Sequence, residues 1–162
     1  MPVLAYRQHA PRVGDDVRLA DDAVIVGKVT LAGPARIEAR AVLRGDQNQI
    51  AIGRRFRIGQ RSTVHVEEHS ATSIGQDVWV GDDAVVHACT LGDGVRVEDG
   101  GLVLSGSSVG AGSIVAADSL VAEGVSFPAN SYISGTPGRR IRETTAEERE
   151  LTVTSVAQAL SH

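Results

Sequence analysis

The 162-residue sequence contains few aromatic side chains, since Phe, Trp and Tyr together make up 3% of it. A core built from large rings is therefore excluded, and we expect a thin core of closely packed aliphatic side chains. The single cysteine, Cys89, excludes an internal disulfide bond and is typical of a reducing compartment. No apolar run reaches the length of about 18 residues that predicts a membrane span, and residues 1–12 lack the apolar segment of a signal peptide. We expect a cytoplasmic protein with no membrane partner.

An excess of positive charge is also missing, because the formal net charge is -4. This acidic balance argues against nucleic acid as a partner. The densest basic group consists of Arg54, Arg55, Arg57 and Arg61. We interpret this group as a solvated or subunit-contacting face, with an anion-binding patch as the alternative.

Aliphatic residues, in contrast, recur every six positions along most of the chain, a period that fits neither an α-helix nor an open strand. The series comprises Val13, Leu19, Ile25, Leu31, Ile37, Leu43, then Ile52, Ile58, Val64, then Ile74, Val80, Val86, and finally Leu91, Val97, Val103, Val109, Val115, Val121, Phe127 and Ile133. Such hexapeptide repeats are typical of solenoids in which three short strands make a triangular coil of about 18 residues. We therefore predict an all-β solenoid, a left-handed parallel β-helix, over residues 1–138.

The pattern changes at the end of the chain. Residues 134–138 break the repeat, and Thr145 followed by Glu148 is the sequence signature of a capping box at the start of a helix. Leu151, Val156 and Leu160 predict an apolar stripe on this helix. We expect residues 139–162 to form a C-terminal segment whose helix packs on the solenoid or on a neighbouring chain.

Three irregularities in the period place two histidines at equivalent positions in successive coils. The spacing to the next aliphatic residue is nine after Leu43, ten after Val64 and five after Val86. If the sides of the triangle are counted through these irregularities, the three residues fall on one side of successive coils. They are followed directly by Arg44, His65 and His87.

His65 and His87 are therefore expected to occupy equivalent positions on adjacent coils, about 4.8 Å apart. Two imidazoles at this separation can converge on one metal ion. The alternative is a pair of surface histidines that only form hydrogen bonds.

Four segments extend this pattern: AVLRGDQNQI at 41–50, TVHV at 63–66, VGDDAVVHAC at 80–89 and ISGTPG at 133–138. Together they resemble the gamma-class carbonic anhydrases, and the resemblance covers nearly the whole chain. It implies a left-handed β-helix assembled as a homotrimer. It also implies a zinc ion between subunits and a small-molecule substrate, carbon dioxide or bicarbonate.

The resemblance carries a ligand set with one change. By motif position, His65 and His87 match the two zinc ligands that come from one chain. The third ligand of the family is a histidine after glycine, and this position is Asp82 here. Its place in the repeat puts Asp82 on a different side of the triangle, so it could complete the site only from another subunit. Two histidines and a carboxylate suit zinc or iron(II), with one ion per subunit interface; the alternative for Asp82 is an ordinary Gly-Asp-Asp turn.

The resemblance also implies roles for nearby charged residues. Arg44 and Asp46 match an arginine and an aspartate that form ion pairs at the subunit boundary, where they shape the site or only hold the trimer together. Glu68 matches a proton-shuttling carboxylate, and a solvated loop tip is the alternative. The polar Asn and Gln that the family places near the metal align with Arg57 and Gly59, so these orienting groups are missing.

The resemblance thus implies a carbonic anhydrase-like lyase that reversibly hydrates carbon dioxide. An anionic ligand would leave a zinc-coordinated water less acidic than three neutral histidines do, so we expect activity that is weak or displaced to alkaline pH. One alternative is a trimeric binding or scaffold protein of the same family without catalysis. Another is an acyl-CoA-dependent transferase. The short insertions argue against this alternative.

Overall fold

The chain forms a β-solenoid of about seven turns followed by a single helix. The computed structural model describes residues 3–162. The strands are β1 (Val3–Leu4), β2 (Arg12–Val13), β3 (Val17–Leu19), β4 (Val24–Leu31), β5 (Ala35–Ile37), β6 (Val42–Ile52), β7 (Phe56–Ile58), β8 (Thr63–His65), β9 (Thr72–Ile74), β10 (Val78–Val80), β11 (Val85–His87), β12 (Thr90–Leu91), β13 (Arg96–Val97), β14 (Leu102–Val103), β15 (Ser108–Val109), β16 (Ile114–Val115), β17 (Leu120–Val121), β18 (Ser126–Phe127), β19 (Ser131–Gly135) and β20 (Gly138–Glu143). The helix α1 spans Ala146–Leu160. The predicted left-handed parallel β-helix is confirmed.

The strands stack into three faces of a triangular prism. The histidine face contains β1, the first halves of β4 and β6, then β8, β11, β14 and β17. The second face contains β2, the second halves of β4 and β6, then β9, β12, β15 and β18. The helix face contains β3, β5, β7, β10, β13, β16 and β19. Strands β4 and β6 bend around one corner and so join the first two faces into one sheet.

Aliphatic side chains at the six-residue positions fill the interior. On the histidine face, Leu43, Val64, Val86, Val103 and Val121 are all fully buried, and the strands that carry them pair in register. Because side chains alternate along a strand, the residues on either side of each of these point outward. The residues before and after the buried ones thus form two outward rows on the histidine face.

One expectation about the core was wrong, because Phe56 is fully buried within it. Its partners in the neighbouring strands are Ala35 and Val78. Ala35 has no side-chain atom beyond Cβ, so its coil leaves space that the phenyl ring of Phe56 fills. A thin core can therefore accept a ring where the adjacent coil supplies a small residue.

The C-terminal segment returns over the helix face. Strand β20 runs antiparallel to β19, and helix α1 then packs against β5, β7 and β10. The predicted capping box is present, since Thr145 accepts from the Glu148 N–H and Glu148 accepts from the Thr145 N–H. Thr152 and Val156 are the helix residues buried against the solenoid, whereas Leu151 of the predicted apolar stripe is 58% exposed in the single chain. Within residues 3–162, no helix has the length and hydrophobicity to cross a membrane.

Candidate functional site

His65 and His87 end two neighbouring strands of the histidine face. Their strands β8 and β11 are parallel and pair with His65 opposite His87. The buried Val64 and Val86 precede them, so both imidazoles project from the outer surface. The two rings are stacked with centroids 5.2 Å apart and planes inclined by 5°. The structure therefore brings the two histidines level, as the spacing predicts.

Asp46, in the preceding coil, contacts His65. Its Oδ1 lies 2.9 Å from His65 Nε2, and its Oδ2 lies 3.3 Å from Arg44 Nε. An ionised carboxylate only accepts hydrogen bonds, so His65 Nε2 carries the proton in this contact. Burial alone would raise the pKa of Asp46, but the hydrogen bonds from His65 and the Gln47 N–H, and the charges of His65 and Arg44, outweigh it and lower the pKa. Arg44, Asp46 and His65 thus form one polar network.

His87 contacts Ser105, which in turn contacts Glu67. Ser105 Oγ lies 3.4 Å from His87 Nδ1 and donates a hydrogen bond of 2.6 Å to Glu67 Oε1. Glu67 is in the coil of His65, and Ser105 is in the coil after His87. The Glu67 carboxylate and the Ser105 hydroxyl therefore come from the coils on either side of His87 and contact each other.

The loop that carries Glu68 holds its carboxylate away from the histidines. The backbone groups of Glu67 and Ser70 exchange hydrogen bonds of 2.9 and 3.2 Å, which leave Glu68 and His69 at the tip. The side chains of Glu68 and His69 are 78% and 91% exposed. Glu68 Oε2 lies 3.8 Å from His69 Nε2. In the single chain, Glu67 and not Glu68 connects this loop to the histidine pair.

Asp82 lies at the corner where the chain passes from the helix face to the histidine face. Its Oδ1 accepts the backbone N–H of Gln60 at 2.9 Å, and its own N–H donates to Asp99 Oδ1 at 2.8 Å. Each of Asp82 and Asp99 therefore accepts a backbone N–H from the corner of the coil before it. This geometry agrees with the turn role of Asp82, while Oδ2 makes no hydrogen bond to any residue in 3–162.

Arg57 and Gly59, which the resemblance aligns with an Asn and a Gln, both lie beside Asp82. Arg57 Nη2 lies 3.6 Å from Asp82 Oδ1, and Arg57 Nη1 donates to the Val80 carbonyl at 3.0 Å. At Gly59, an added Cβ would clash with Asp82 Oδ1 and would lie 2.5 Å from the Gly81 carbonyl, so a side chain does not fit there. Arg57, Gly59 and Asp82 thus form one cluster.

The guanidinium of Arg57 is largely buried, with 14% of its side chain exposed. It lies over the ring of Trp79 at 4.1 Å from the ring centroid, and Arg96 lies against the same ring at 4.8 Å. Desolvation lowers the pKa of Arg57, and Asp82 is the largest of the opposing negative charges. Asp82 is therefore the principal counter-ion of a buried cation.

The donors of one chain suit a metal only in part. Two imidazoles are favourable zinc ligands, but residues 3–162 contain no group of three His, Cys, Asp or Glu side chains that could hold an ion. Imidazole lone pairs lie in the ring planes, so the nearly parallel rings must tilt toward each other to share one ion. His65 must also lose the Nε2 proton that it donates to Asp46, if this nitrogen is to ligate. The pair alone therefore does not complete a metal site, and an ion held there would need at least one further donor.

Several residues of this region could not be assigned from the sequence. Ser105 and Glu67 belong to no sequence motif. Only the 18-residue step from His87 to Ser105 indicates that Ser105 lies near His87. Cys89, two residues after His87, is buried, and desolvation raises the pKa of its thiol to about 12. It packs as a small apolar side chain.

No protein-family model matches the chain. A probable carbonic anhydrase of Methanocaldococcus jannaschii is 46% identical over 136 residues, which cover 84% of this chain and 86% of that protein. The mitochondrial gamma carbonic anhydrase 2 of Arabidopsis thaliana is 35% identical over 145 residues, or 86% of this chain. The chain spans 52% of this plant protein, so about half of it has no counterpart here.

The solved structures agree with the fold. A hexapeptide transferase family protein from Anaplasma phagocytophilum superposes with a TM-score of 0.93 at 30% identity, covering 98% of this chain and 94% of that one. A putative acetyltransferase from Bacillus cereus gives a TM-score of 0.78 at 27% identity, covering 98% and 92%. From the histidine pair, its surroundings and the extended similarity to the archaeal and plant proteins, we conclude that the chain belongs to the gamma carbonic anhydrase-like family of hexapeptide-repeat proteins.

Proposed function

We propose that the protein is a zinc-dependent enzyme that reversibly hydrates carbon dioxide and works as a homotrimer. The observation that carries this proposal is the stacked pair of His65 and His87, which offers two imidazoles on one outer surface. The name of the archaeal relative, a probable carbonic anhydrase with 46% identity, supports the same reaction.

In this proposal, His65 and His87 of one subunit and Asp82 of a neighbouring subunit hold the metal. Asp82 Oδ1 is occupied by the Gln60 N–H and by Arg57, which leaves Oδ2 for a cation. A bound zinc ion would supply Lewis-acid chemistry toward water and carbon dioxide. Iron(II) is the alternative metal, since two histidines and a carboxylate also suit it.

The outer surface of the histidine face supports an interface beside the histidines. One outward row runs in register through Val24, Val42, Thr63, Val85, Leu102 and Leu120. Leu102 in this row is 37% exposed in the single chain. Apart from Thr63 the row is apolar, and its apolar side chains gain free energy when another subunit covers them. The second outward row contains Arg44, His65 and His87, so the same contact would bring a neighbour to the histidines.

The polar residues around the pair have separate roles in this proposal. Asp46 holds His65 and is itself held by Arg44, so this network fixes one ligand at the subunit boundary. Arg57 keeps Asp82 at its corner and neutralises part of its charge. The anionic third ligand makes the reaction slow at neutral pH and faster at alkaline pH.

The proposal is tested by metal content and hydration kinetics on the same samples. After zinc supplementation, we expect about one zinc ion per chain and a carbon dioxide hydration rate that rises with pH. His87→Gln should lose both the zinc and the activity, whereas His69→Gln, at the exposed loop tip, should keep both. Wild-type protein that folds as a trimer but holds well below one ion per chain would contradict the proposal and favour a scaffold role.

A second candidate, acyl-CoA-dependent transfer, rests on the names of the two solved structures, a hexapeptide transferase family protein and a putative acetyltransferase. In such an enzyme a histidine would act as the general base toward an acceptor hydroxyl or amine. Thermal denaturation with coenzyme A separates the two candidates. A transferase should be stabilised by coenzyme A, and a carbon dioxide hydratase should not.

A further inference from the structure

We propose that Ser105 and Glu67 are positioning residues that fix the tautomer and the orientation of His87. The inference rests on the proposed function in one respect, since His87 matters there as a metal ligand. The tautomer itself is a property of the metal-free chain and can be measured without a metal.

The direction of the hydrogen bonds follows from the number of protons. The Ser105 hydroxyl has a single proton, and the contact of 2.6 Å to Glu67 Oε1 has the length of a hydrogen bond from a hydroxyl to a carboxylate. Ser105 Oγ therefore turns a lone pair toward His87 Nδ1, which lies 3.4 Å away. This contact is favourable only when Nδ1 carries the proton. His87 Nε2 then keeps its lone pair for a ligand.

Glu67 is held in place for this role by its own backbone. It exchanges two backbone hydrogen bonds with Ser70, and Ser70 Oγ donates to the Ala88 carbonyl at 3.1 Å. The same carbonyl accepts the Gly106 N–H at 2.8 Å, directly after Ser105. The loop of Glu67, the coil of His87 and the turn of Ser105 are thus tied together around one carbonyl group. The Glu67 carboxylate is therefore already in position before His87 binds a ligand.

The two histidines are held by opposite nitrogens. With the protons assigned in this way, His65 donates its Nε2 proton to Asp46, whereas His87 donates its Nδ1 proton to Ser105. His87 therefore presents a free Nε2 lone pair, and His65 must first release a proton before the same nitrogen can ligate. We infer that His87 is the ligand that is ready to bind and that the Ser105–Glu67 pair keeps it so.

The first test is ¹⁵N NMR of histidine-labelled, metal-free protein at about pH 8.5, two units above the usual histidine pKa. The His87 signals are assigned from their loss in His87→Gln. In the wild type we expect the Nδ1–H tautomer. Ser105→Ala and Glu67→Ala should shift His87 toward the Nε2–H tautomer, while Ser105→Thr, which keeps the hydroxyl, should retain the wild-type spectrum. The matched control is Glu68→Ala, which removes an adjacent carboxylate and should leave the spectrum unchanged.

The second test is zinc affinity, measured by competition with a chelator. Groups that orient a metal ligand typically contribute 10- to 100-fold, so we expect binding about 10-fold weaker in Ser105→Ala and Glu67→Ala. Glu68→Ala should bind as the wild type does. A wild-type His87 in the Nε2–H form, or a tautomer that Ser105→Ala leaves unchanged, would overturn the inference. Failure of the wild type to bind zinc would instead contradict the proposed function, and the NMR result would still decide the role of Ser105.

Discussion

The guanidinium of Arg57 lies 3.6 Å from the carboxylate of Asp82, across the corner between two faces of the solenoid. Gly59 leaves the space that this carboxylate occupies. The aspartate therefore acts within its own chain as a corner cap and as a counter-ion. Any role toward a neighbouring subunit has to use Oδ2, because Oδ1 is already engaged.

A double-mutant cycle between Arg57 and Asp82 should show coupling. Arg57→Met keeps the aliphatic stem against Trp79, and Asp82→Asn keeps an acceptor for the Gln60 N–H. Because the Asp82 side chain is 36% exposed, solvent screens the pair, and we expect a coupling of about 1 kcal/mol in the free energy of unfolding from chemical denaturation.

The exposed pair of Arg61 and Asp83 is the matched control for this cycle. Its nitrogen and oxygen lie closer, at 2.8 Å, but both side chains are about half exposed, at 45% and 57%. We expect a smaller coupling there, since solvent screens it more. Strictly additive effects at Arg57 and Asp82 would show that the ion pair contributes nothing to stability.

Acid should release helix α1 from the solenoid. Arg142 donates two hydrogen bonds to the Glu148 carboxylate, at 2.7 and 2.9 Å, and this contact with the Thr145 N–H lowers the pKa of Glu148 from 4.5 to about 2. A pKa that is lower in the folded state stabilises the protein above pH 4.5, and this contribution is lost as the pH falls toward 2. We therefore expect undocking of the helix to begin below pH 4.5.

The single tryptophan reports on this event, because Trp79 lines a groove with Ser155, Gln158 and Ala159 of the helix. Its fluorescence should change in the acidic range in the wild type. Glu148→Gln should have a less stable helix contact already at pH 7 and a weaker pH dependence. Glu147→Gln, which alters an acidic residue of the same helical turn, should behave as the wild type. Equal titrations in all three proteins would contradict the assignment to Glu148.

Cys89 should be unreactive in the folded protein. Desolvation raises the pKa of its thiol from 9.0 to about 12, so the thiolate, which is the nucleophile, is about 1,000-fold scarcer than at an ordinary cysteine. We expect no reaction with Ellman's reagent at pH 8 in buffer and one thiol per chain after denaturation in urea. Rapid labelling of the native protein would show that the coil around Cys89 opens readily.

The period of six was sufficient to predict the solenoid and the level positions of His65 and His87. This succeeded because the number of residues in one circuit determines which residues pair in a parallel stack, and side-chain alternation then determines which ones face outward. Neither step requires knowledge of side-chain contacts. The expectation of a core without rings failed at Phe56 because it assumed a uniform interior, whereas the space beside Ala35 is a local property of two neighbouring coils.

The polar contacts of the site could not be predicted in the same way. Glu67 and Glu68 are adjacent in sequence, and only the turn closed by Glu67 and Ser70 determines which carboxylate returns to the histidines. Likewise, Arg57 and Asp82 lie in successive coils, and nothing in the repeat indicates that the guanidinium reaches across the corner. Side-chain conformation, and not chain period, decides these contacts.

Mixed trimers offer the most direct test of a metal site shared between subunits. A His87→Gln chain lacks one of the paired imidazoles but still provides Asp82, and an Asp82→Ala chain provides both imidazoles but no carboxylate. Each homotrimer should therefore lack zinc. In a trimer that contains both chains, one interface combines the intact histidines with the intact aspartate, and we expect about one zinc ion per mixed trimer. Differently tagged chains, co-expressed and purified through both tags, would allow metal content to be measured on this species alone. Full zinc content in the Asp82→Ala homotrimer would exclude Asp82 as a ligand, and zinc-free mixed trimers beside a zinc-loaded wild type would exclude a site that spans subunits.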